Sequence, residues 1–235
     1  MTRNTIPART PPGLTRSALP LMAQGGSGKL AMGREWRGKG DLVSLRIGSV
    51  NVSTMRKKEG EVVDMAARRH MDFCCLQETG WKGEGARKLG EYEFFWMGCS
   101  RGLHGVGLLV AERWIEKVLE VRRVSERLML VRVIAGRTVL NLISAYAPQA
   151  GRPMPEKEEF FTSLGKIVSG IDGGEKLLIV GDLKGHVGAE VEGFDRGCAW
   201  GFGFGKRNVE GEMILEFADA WNFVVANRRF KKDEG

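Results

Sequence analysis

Four short β-prone runs follow one another closely between positions 92 and 145: 92–97 (YEFFWM), 105–111 (GVGLLVA), 128–134 (LMLVRVI) and 138–145 (TVLNLISA). Each is rich in aromatic or branched side chains, and the last two flank Ala135-Gly136-Arg137, a hairpin-like turn. Several have no helix between them. Mixed strands with so few helices point to a sheet-rich α/β sandwich rather than a regularly alternating Rossmann layout.

Order is expected to begin at Leu42, where a Pro/Gly/Arg-rich composition gives way to an alternating β-branched run. Residues 59–71 place Val62, Val63, Ala66, Ala67 and His70 at helical spacing, and 72–77 (DFCCLQ) is a short apolar strand, so the first unit is β-α-β. A helix starting at Pro155 carries Phe160, Phe161, Leu164, Ile167, Val168 and Ile171 on one face and stops by Gly173-Gly174, ahead of a strand at 176–180. The glycine-rich stretch 193–211 reads as a long loop. A helix over 213–221 and a last strand over 223–227 follow. No internal repeat of solenoid period is present.

The formal net charge of +7 is unevenly placed. Residues 1–40 hold seven basic side chains (Arg3, Arg9, Arg16, Lys29, Arg34, Arg37, Lys39) against the single acid Glu35. The basicity therefore belongs to the leader and does not argue for a nucleic-acid groove on the rest. With its prolines and glycines this leader is expected to be a disordered basic arm over 1–40, and 41–235 a folded domain. The four cysteines form no CxxC pair; Cys74 and Cys75, adjacent in an apolar run, should point to opposite faces as buried, reduced thiols. No apolar stretch approaches the roughly 18–20 residues that span a bilayer, and no secretory apolar region opens the chain. No membrane partner is expected, and the chain reads as intracellular, in nucleus or cytoplasm; oligomeric state is not legible.

Four polar signals close apolar runs in order: Ser49-Val50-Asn51-Val52, Leu76-Gln77-Glu78-Thr79, Ala145-Tyr146-Ala147-Pro148 and Val180-Gly181-Asp182-Leu183. Layered α/β folds build sites at such strand ends, because the sheet holds the side chains while loops leave room for substrate. A Glu and an Asp with an Asn nearby are hard oxygen donors that suit Mg²⁺ rather than Zn²⁺. The chemistry this implies is phosphate-ester cleavage.

On these motifs the chain resembles the endonuclease/exonuclease/phosphatase superfamily. The stretches 51–55, 77–79, 146–149, 181–188 (GDLKGHVG) and 203–211 (GFGKRNVEG) are most similar to the endonuclease domains of RTE-type non-LTR retrotransposons, over about 43–230. The resemblance implies a two-sheet α/β sandwich of the DNase I-like type and hydrolysis of DNA with Mg²⁺, or Mn²⁺ in its place. Carried over, Asn51 and Glu78 would hold the metal, Tyr146 would contact the scissile phosphate and Asp182 would orient or deprotonate the attacking water. Lys206, Arg207 and Asn208 are candidate contacts to the DNA backbone.

Two departures bear on activity. The family pattern at the fourth signal is Gly-Asp-Leu-Asn, whereas this chain has Lys184 in the Asn position. An amide both donates and accepts; an ammonium only donates, so the water-positioning half of the role is lost. The family also completes its site with an Asp and an Asp-His pair near the domain's end, a context that His70, His104 and His186 do not share. A C-terminally truncated domain with little or no nuclease activity is the resulting expectation. Its rivals are a noncatalytic remnant that binds nucleic acid or a partner, and a phosphatase-like protein acting on a small phosphorylated molecule. Trp200, in the glycine-rich stretch, is a candidate stacking residue.

Overall fold

The computed structural model describes residues 43–188 and 205–226, together with the backbone of the short strand Ala23–Gln24. The elements are β1 (Ala23–Gln24), β2 (Ile47–Asn51), α1 (Glu59–Arg68), β3 (Phe73–Gln77), β4 (Gly83–Leu89), β5 (Tyr92–Gly98), β6 (Val106–Ala111), α2 (Glu112–Ile115), β7 (Val118–Ser125), β8 (Leu128–Ala135), β9 (Thr138–Tyr146), α3 (Met154–Ser169), β10 (Lys176–Asp182) and α4 (Val209–Ala220).

Two five-stranded mixed sheets result, ordered β2-β3-β6-β5-β4 and β1-β10-β9-β8-β7. Only the pairs joined through a helix, and the short β1, run parallel: β2 with β3 across α1, β9 with β10 across α3, and β1 with β10. The remaining ladders are antiparallel, as short connections require. Inward-facing Phe73, Cys75, Leu108 and Val110 of one sheet meet Met129, Val131, Leu142 and Val180 of the other in a shared core. The opposite face of the first sheet packs Cys74, Leu76 and Leu109 against Val62 and Ala66 of α1. The opposite face of the second packs Leu130, Ile143 and Ile179 against Phe161, Leu164 and Val168 of α3 and Ile214 and Phe217 of α4. The order of layers is helix, sheet, sheet, helix, the sandwich that the sequence implied.

Cys74 and Cys75 are free, buried and on opposite faces of β3, as alternation demands. Burial pushes the Cys74 thiol up to about 12 and raises Cys75 as well, so neither is a nucleophile near neutrality. Cys198 and Trp200 lie outside the described residues, as do most of the basic leader and most of the 193–211 loop. Within the leader, Ala23 and Gln24 pair with Val180 and Gly181 at the edge of the second sheet.

Several elements differ from the sequence expectation. Strands β4 and β7 carry no clear signal in the sequence: β4 (GEGARKL) is mostly exposed, and β7 (VLEVRRVS) buries no residue fully. Both are sheet edges, where charged residues discourage pairing with other chains and erase the apolar pattern. Helix α4 begins at Val209 rather than 213, because the Asn208 side chain accepts the Gly211 N–H and caps it. The strand expected over 223–227 is absent among its described residues. Asn222 sits at φ 56°, Asn222 N–H bonds Asp219 O and Phe223 N–H bonds Ala218 O, so the chain closes α4 with a left-handed cap. Phe223 then stacks on Phe217 instead of joining a ladder. The same cap, with His70 at φ 50°, ends α1 at Arg68.

One buried carboxylate anchors the entry to β3. Asp72, 1% exposed, accepts the Arg46 backbone N–H at 2.8 Å, the Arg113 guanidinium at 2.9 and 2.7 Å, and the Trp114 indole N–H. Asp72→Ala leaves the buried Trp114 indole N–H unmatched and releases the Arg46 and Arg113 bonds, and should lower unfolding stability by roughly 1–3 kcal/mol. Urea titration checks this; a decrease below about 0.5 kcal/mol would show that the anchor is dispensable.

Candidate active site

The two parallel pairs end at the same edge of the sandwich, where β2 and β10 approach one another. Asn51 closes β2, opposite Gln77, and Glu78 follows immediately. Tyr146 closes β9, directly opposite Asp182 at the end of β10. Side chains from segments far apart in sequence thus share one corner. Glu78 and Lys184 leave their strands through left-handed backbone, at φ 59° and 52°. For residues with a Cβ that conformation costs about 1–2 kcal/mol each, and such strain concentrates at functional sites.

Glu78 Oε1 accepts from the Asn51 amide at 2.7 Å and from the Tyr146 hydroxyl at 3.0 Å. Asp182 Oδ2 accepts from the same amide at 3.1 Å, so Asn51 bridges the two carboxylates, while its own oxygen takes the Ser53 N–H. The Lys184 ammonium lies 2.6 Å from Asp182 Oδ2 and 3.5 Å from Glu78 Oε1. Its backbone N–H also bonds Asp182 Oδ1, at 3.1 Å. Lys184 and Glu78 are partly open to solvent; Tyr146 is buried beneath them. In this arrangement the Tyr146 hydroxyl donates to Glu78.

Burial raises the Glu78 carboxyl, but the hydrogen bonds from Asn51 and Tyr146 and the Lys184 charge outweigh it and hold the pKa below the ordinary glutamate value. Burial and then the Glu78 hydrogen bond push the Tyr146 phenol well up, so it stays protonated and donates. Arg127 stacks over the Tyr146 ring at 5.2 Å and Lys184 at 5.4 Å. His104, held at φ 66°, lies 5.9 Å from that ring, and burial followed by the Arg127 charge lowers its pKa.

Neither Arg127 nor His104 stands out in the sequence as a neighbour of the site. Only the glycines around His104 could signal a close approach.

Mg²⁺ requires near-octahedral oxygen ligands at about 2.0–2.1 Å. Here Glu78 Oε1 and Asp182 Oδ2 are covered by donors, the Asn51 oxygen is taken by Ser53, and the position between the carboxylates holds an ammonium. As arranged, this donor set does not fit a divalent ion. No cluster of three or more His, Cys, Asp or Glu side chains suited to a metal occurs among the described residues.

Lys206, Arg207 and Asn208 fall apart in role. Asn208 is committed to structure, accepting the His186 and Gly211 N–H groups at 2.8 Å each. That brings α4 onto the loop after β10, where a Cβ on Gly185 would meet Ile214 Cδ1 at 2.5 Å and the Glu210 backbone at 2.7 Å. Lys206 is exposed and Arg207 half-buried. A second basic group emerges only in the fold. The loops after β2, β3 and β5 are tied together by Met55 N–H to Thr79 O at 2.8 Å, Gly80 N–H to His104 O at 2.9 Å and Arg56 Nε to Gly80 O at 3.0 Å. They carry the exposed Arg56, Lys57, Lys58, Lys82 and Arg101, and Arg56 and Lys82 both come close to Gly102.

No family model matches the chain. Over 217 residues it is 26% identical to craniofacial development protein 2 of Bos taurus, covering 86% of this chain and 36% of that protein. The protein of the same name from Tragulus javanicus is 24% identical over 188 residues, covering 79% and 32%. The chain thus spans about a third of the length of the curated relatives it matches. Among solved structures, the Xenopus laevis APE2 catalytic domain aligns at TM-score 0.52 and 15% identity, over 73% of this chain and 65% of that one. A 3′ phosphatase, NExo from Neisseria, bound to a product DNA hairpin, aligns at 0.51 and 16%, over 75% and 71%. The endonuclease domain of TRAS1, a telomere-specific non-LTR retrotransposon, aligns at 0.50 and 14%, over 74% and 70%. At such identities the likeness is one of fold: the chain shares the two-sheet, DNase I-like sandwich of these structures. Among the described residues no helix is long and apolar enough to cross a membrane.

The depressed Glu78 pKa sets the sign of an acid effect. Its ionised form stabilises the fold above the ordinary glutamate pKa, and that contribution disappears as pH falls through the lower folded value. Tyr146→Phe removes one donor, so the Glu78 midpoint should rise toward the ordinary value and the acid-side drop in stability should shrink. Carboxyl ¹³C NMR titration reads the midpoint directly; an unmoved midpoint would show that the Tyr146 hydroxyl does not hold Glu78.

Proposed function

We propose that this chain is a DNA-binding domain of the endonuclease type that engages a phosphodiester at the Glu78–Lys184 corner and hydrolyses it only weakly. The observation that carries this reading is the Lys184 ammonium, seated between the two carboxylates of the corner. Lys184 is also the partly exposed cation of the corner, so an incoming phosphate oxygen meets it before the buried Tyr146 or Asp182.

A general base must hold a free lone pair within about 2.6–3.2 Å of the proton it takes. Asp182 spends Oδ2 on Lys184 and Asn51 and Oδ1 on the Lys184 N–H, so it can accept a proton from water only after Lys184 withdraws. Glu78, with a lowered pKa and three donors, is a poor proton acceptor as well. These residues bind and orient a phosphate better than they activate water.

The exposed Arg56, Lys57, Lys58, Lys82 and Arg101 support a polyanionic ligand over a small phosphorylated molecule, since five cations on three hydrogen-bonded loops suit several phosphates better than one. Two of the fold neighbours, a 3′ phosphatase bound to DNA and a retrotransposon endonuclease domain, agree with that choice. With Mg²⁺ or Mn²⁺ present, plasmid nicking should stay near background, and Glu78→Ala should change it little; robust nicking abolished by Glu78→Ala would overturn the reading.

Binding gives a second check. A fluorophore-labelled duplex should bind with a salt dependence whose log–log slope falls by about 1 for each phosphate left without its cation. The pair Arg56→Ala and Lys82→Ala should therefore flatten the slope by about 2. Anisotropy with an unchanged slope would show that these cations do not track the backbone.

A further inference from the structure

We propose that Lys184 is the resident cation of this site, an internal ammonium that takes the position of a divalent metal between Glu78 and Asp182 and excludes one. The inference rests on the corner being the phosphate site proposed above, but its test uses no nucleic acid.

Three observations carry it. First, the ammonium contacts both carboxylates, at 2.6 Å and 3.5 Å, and these come from different sheets, so it sits at their meeting point rather than along one strand. Second, the backbone of Lys184 is held in place independently of its side chain: its N–H is bonded to Asp182 Oδ1, and its φ is 52°. Lysine gains nothing from the left-handed region, which favours Asn among residues with a side chain, so the position is set by the turn and the ammonium is delivered by it. Third, the donors Asn51 and Tyr146 already satisfy the inner Glu78 oxygen, Asn51 also reaches Asp182, and Lys184 offsets one of the two negative charges without an external ion.

A dication entering this corner would have to displace the ammonium or share the carboxylates with it. Like charges a few ångströms apart at a protein surface repel strongly enough to cost more than a factor of ten in affinity. The ammonium is covalently tethered, so no concentration of chelator removes it, whereas any metal must compete with it at every encounter. Duplex binding by this chain should accordingly be insensitive to chelation.

Mn²⁺ binding to the full chain, read by the electron paramagnetic resonance signal of the free ion, tests the proposal. Lys184→Asn and Lys184→Met both remove the ammonium, and only the first adds a ligand; circular dichroism and thermal melting confirm that each variant is folded, with Lys184→Gln in place of an unfolded Asn variant and Lys184→Leu in place of an unfolded Met variant. The expected result is weak binding by the unaltered chain and an affinity tighter by about tenfold or more in both variants, abolished again when Glu78→Gln is added. Equal Mn²⁺ affinity in the unaltered chain and the variants would overturn the proposal. So would a gain confined to Lys184→Asn, because that gain would belong to the new amide and not to removal of the charge. A chain that fails to bind duplex sinks the functional reading above while leaving the Mn²⁺ result to decide this one.

Discussion

Glu78 and Asp182 arrive from different sheets and end at one corner, and two carboxylates placed there must be neutralised. Two like charges that share the same donors would otherwise favour keeping a proton on one of them. Here the answer is a set of shared donors: Asn51 reaches both, Lys184 reaches both, and Tyr146 adds a third bond to Glu78. Glu78 stays ionised because of them. The rest of the corner, including the stacking of Arg127 and Lys184 on the Tyr146 ring, is arranged around that compensation.

The sandwich makes this convergence obligatory. Each site-bearing half is a parallel strand pair joined through a helix, β2–β3 across α1 and β9–β10 across α3, and parallel pairing places both carboxyl ends of a pair on the same edge. Packing the halves face to face, through the core around Phe73, Leu108, Met129 and Val180, then brings the two edges together. Features far from the corner keep the geometry rigid. Asp72 ties β3 to Arg46, Arg113 and Trp114 at the opposite end of its strand. On the outer layer, the buried Lys157 ammonium bonds Glu210 Oε1 and Ala150 O, each at 2.6 Å, pinning α3 to α4 and to the loop after β9, while Asn208 at the head of α4 accepts the His186 N–H from the loop that carries Lys184. The hydrogen bond from Lys157 lowers the Glu210 pKa accordingly.

This arrangement separates two properties that a phosphate-cleaving site normally combines. Cleavage needs an unoccupied base and a cation that can follow developing charge; recognition of a polyanion needs only fixed positive groups and donors. On the proposed reading, Lys184 removes the first while adding to the second. On the same reading, the exposed arginines and lysines at 56–58, 82 and 101 add to that recognition.

Much of this is written in local patterns. The closely spaced strands between 92 and 145, the apolar face of α3 and the alternation of Cys74 and Cys75 follow from side-chain periodicity, which depends only on the chain itself. So do the polar residues at four strand ends and the lysine where the family pattern has asparagine. Tertiary structure decided the rest. Edge strands β4 and β7 have no apolar face to betray them, and Phe223 packs on α4 because a left-handed turn at Asn222 sends it there. Spacing along the chain also could not show that the Asn51 amide reaches two carboxylates, that Tyr146 is covered, or that the Lys184 ammonium lies between them. Those depend on distances between segments more than a hundred residues apart, and on a backbone turn at φ 52°, which only the packed sheets impose.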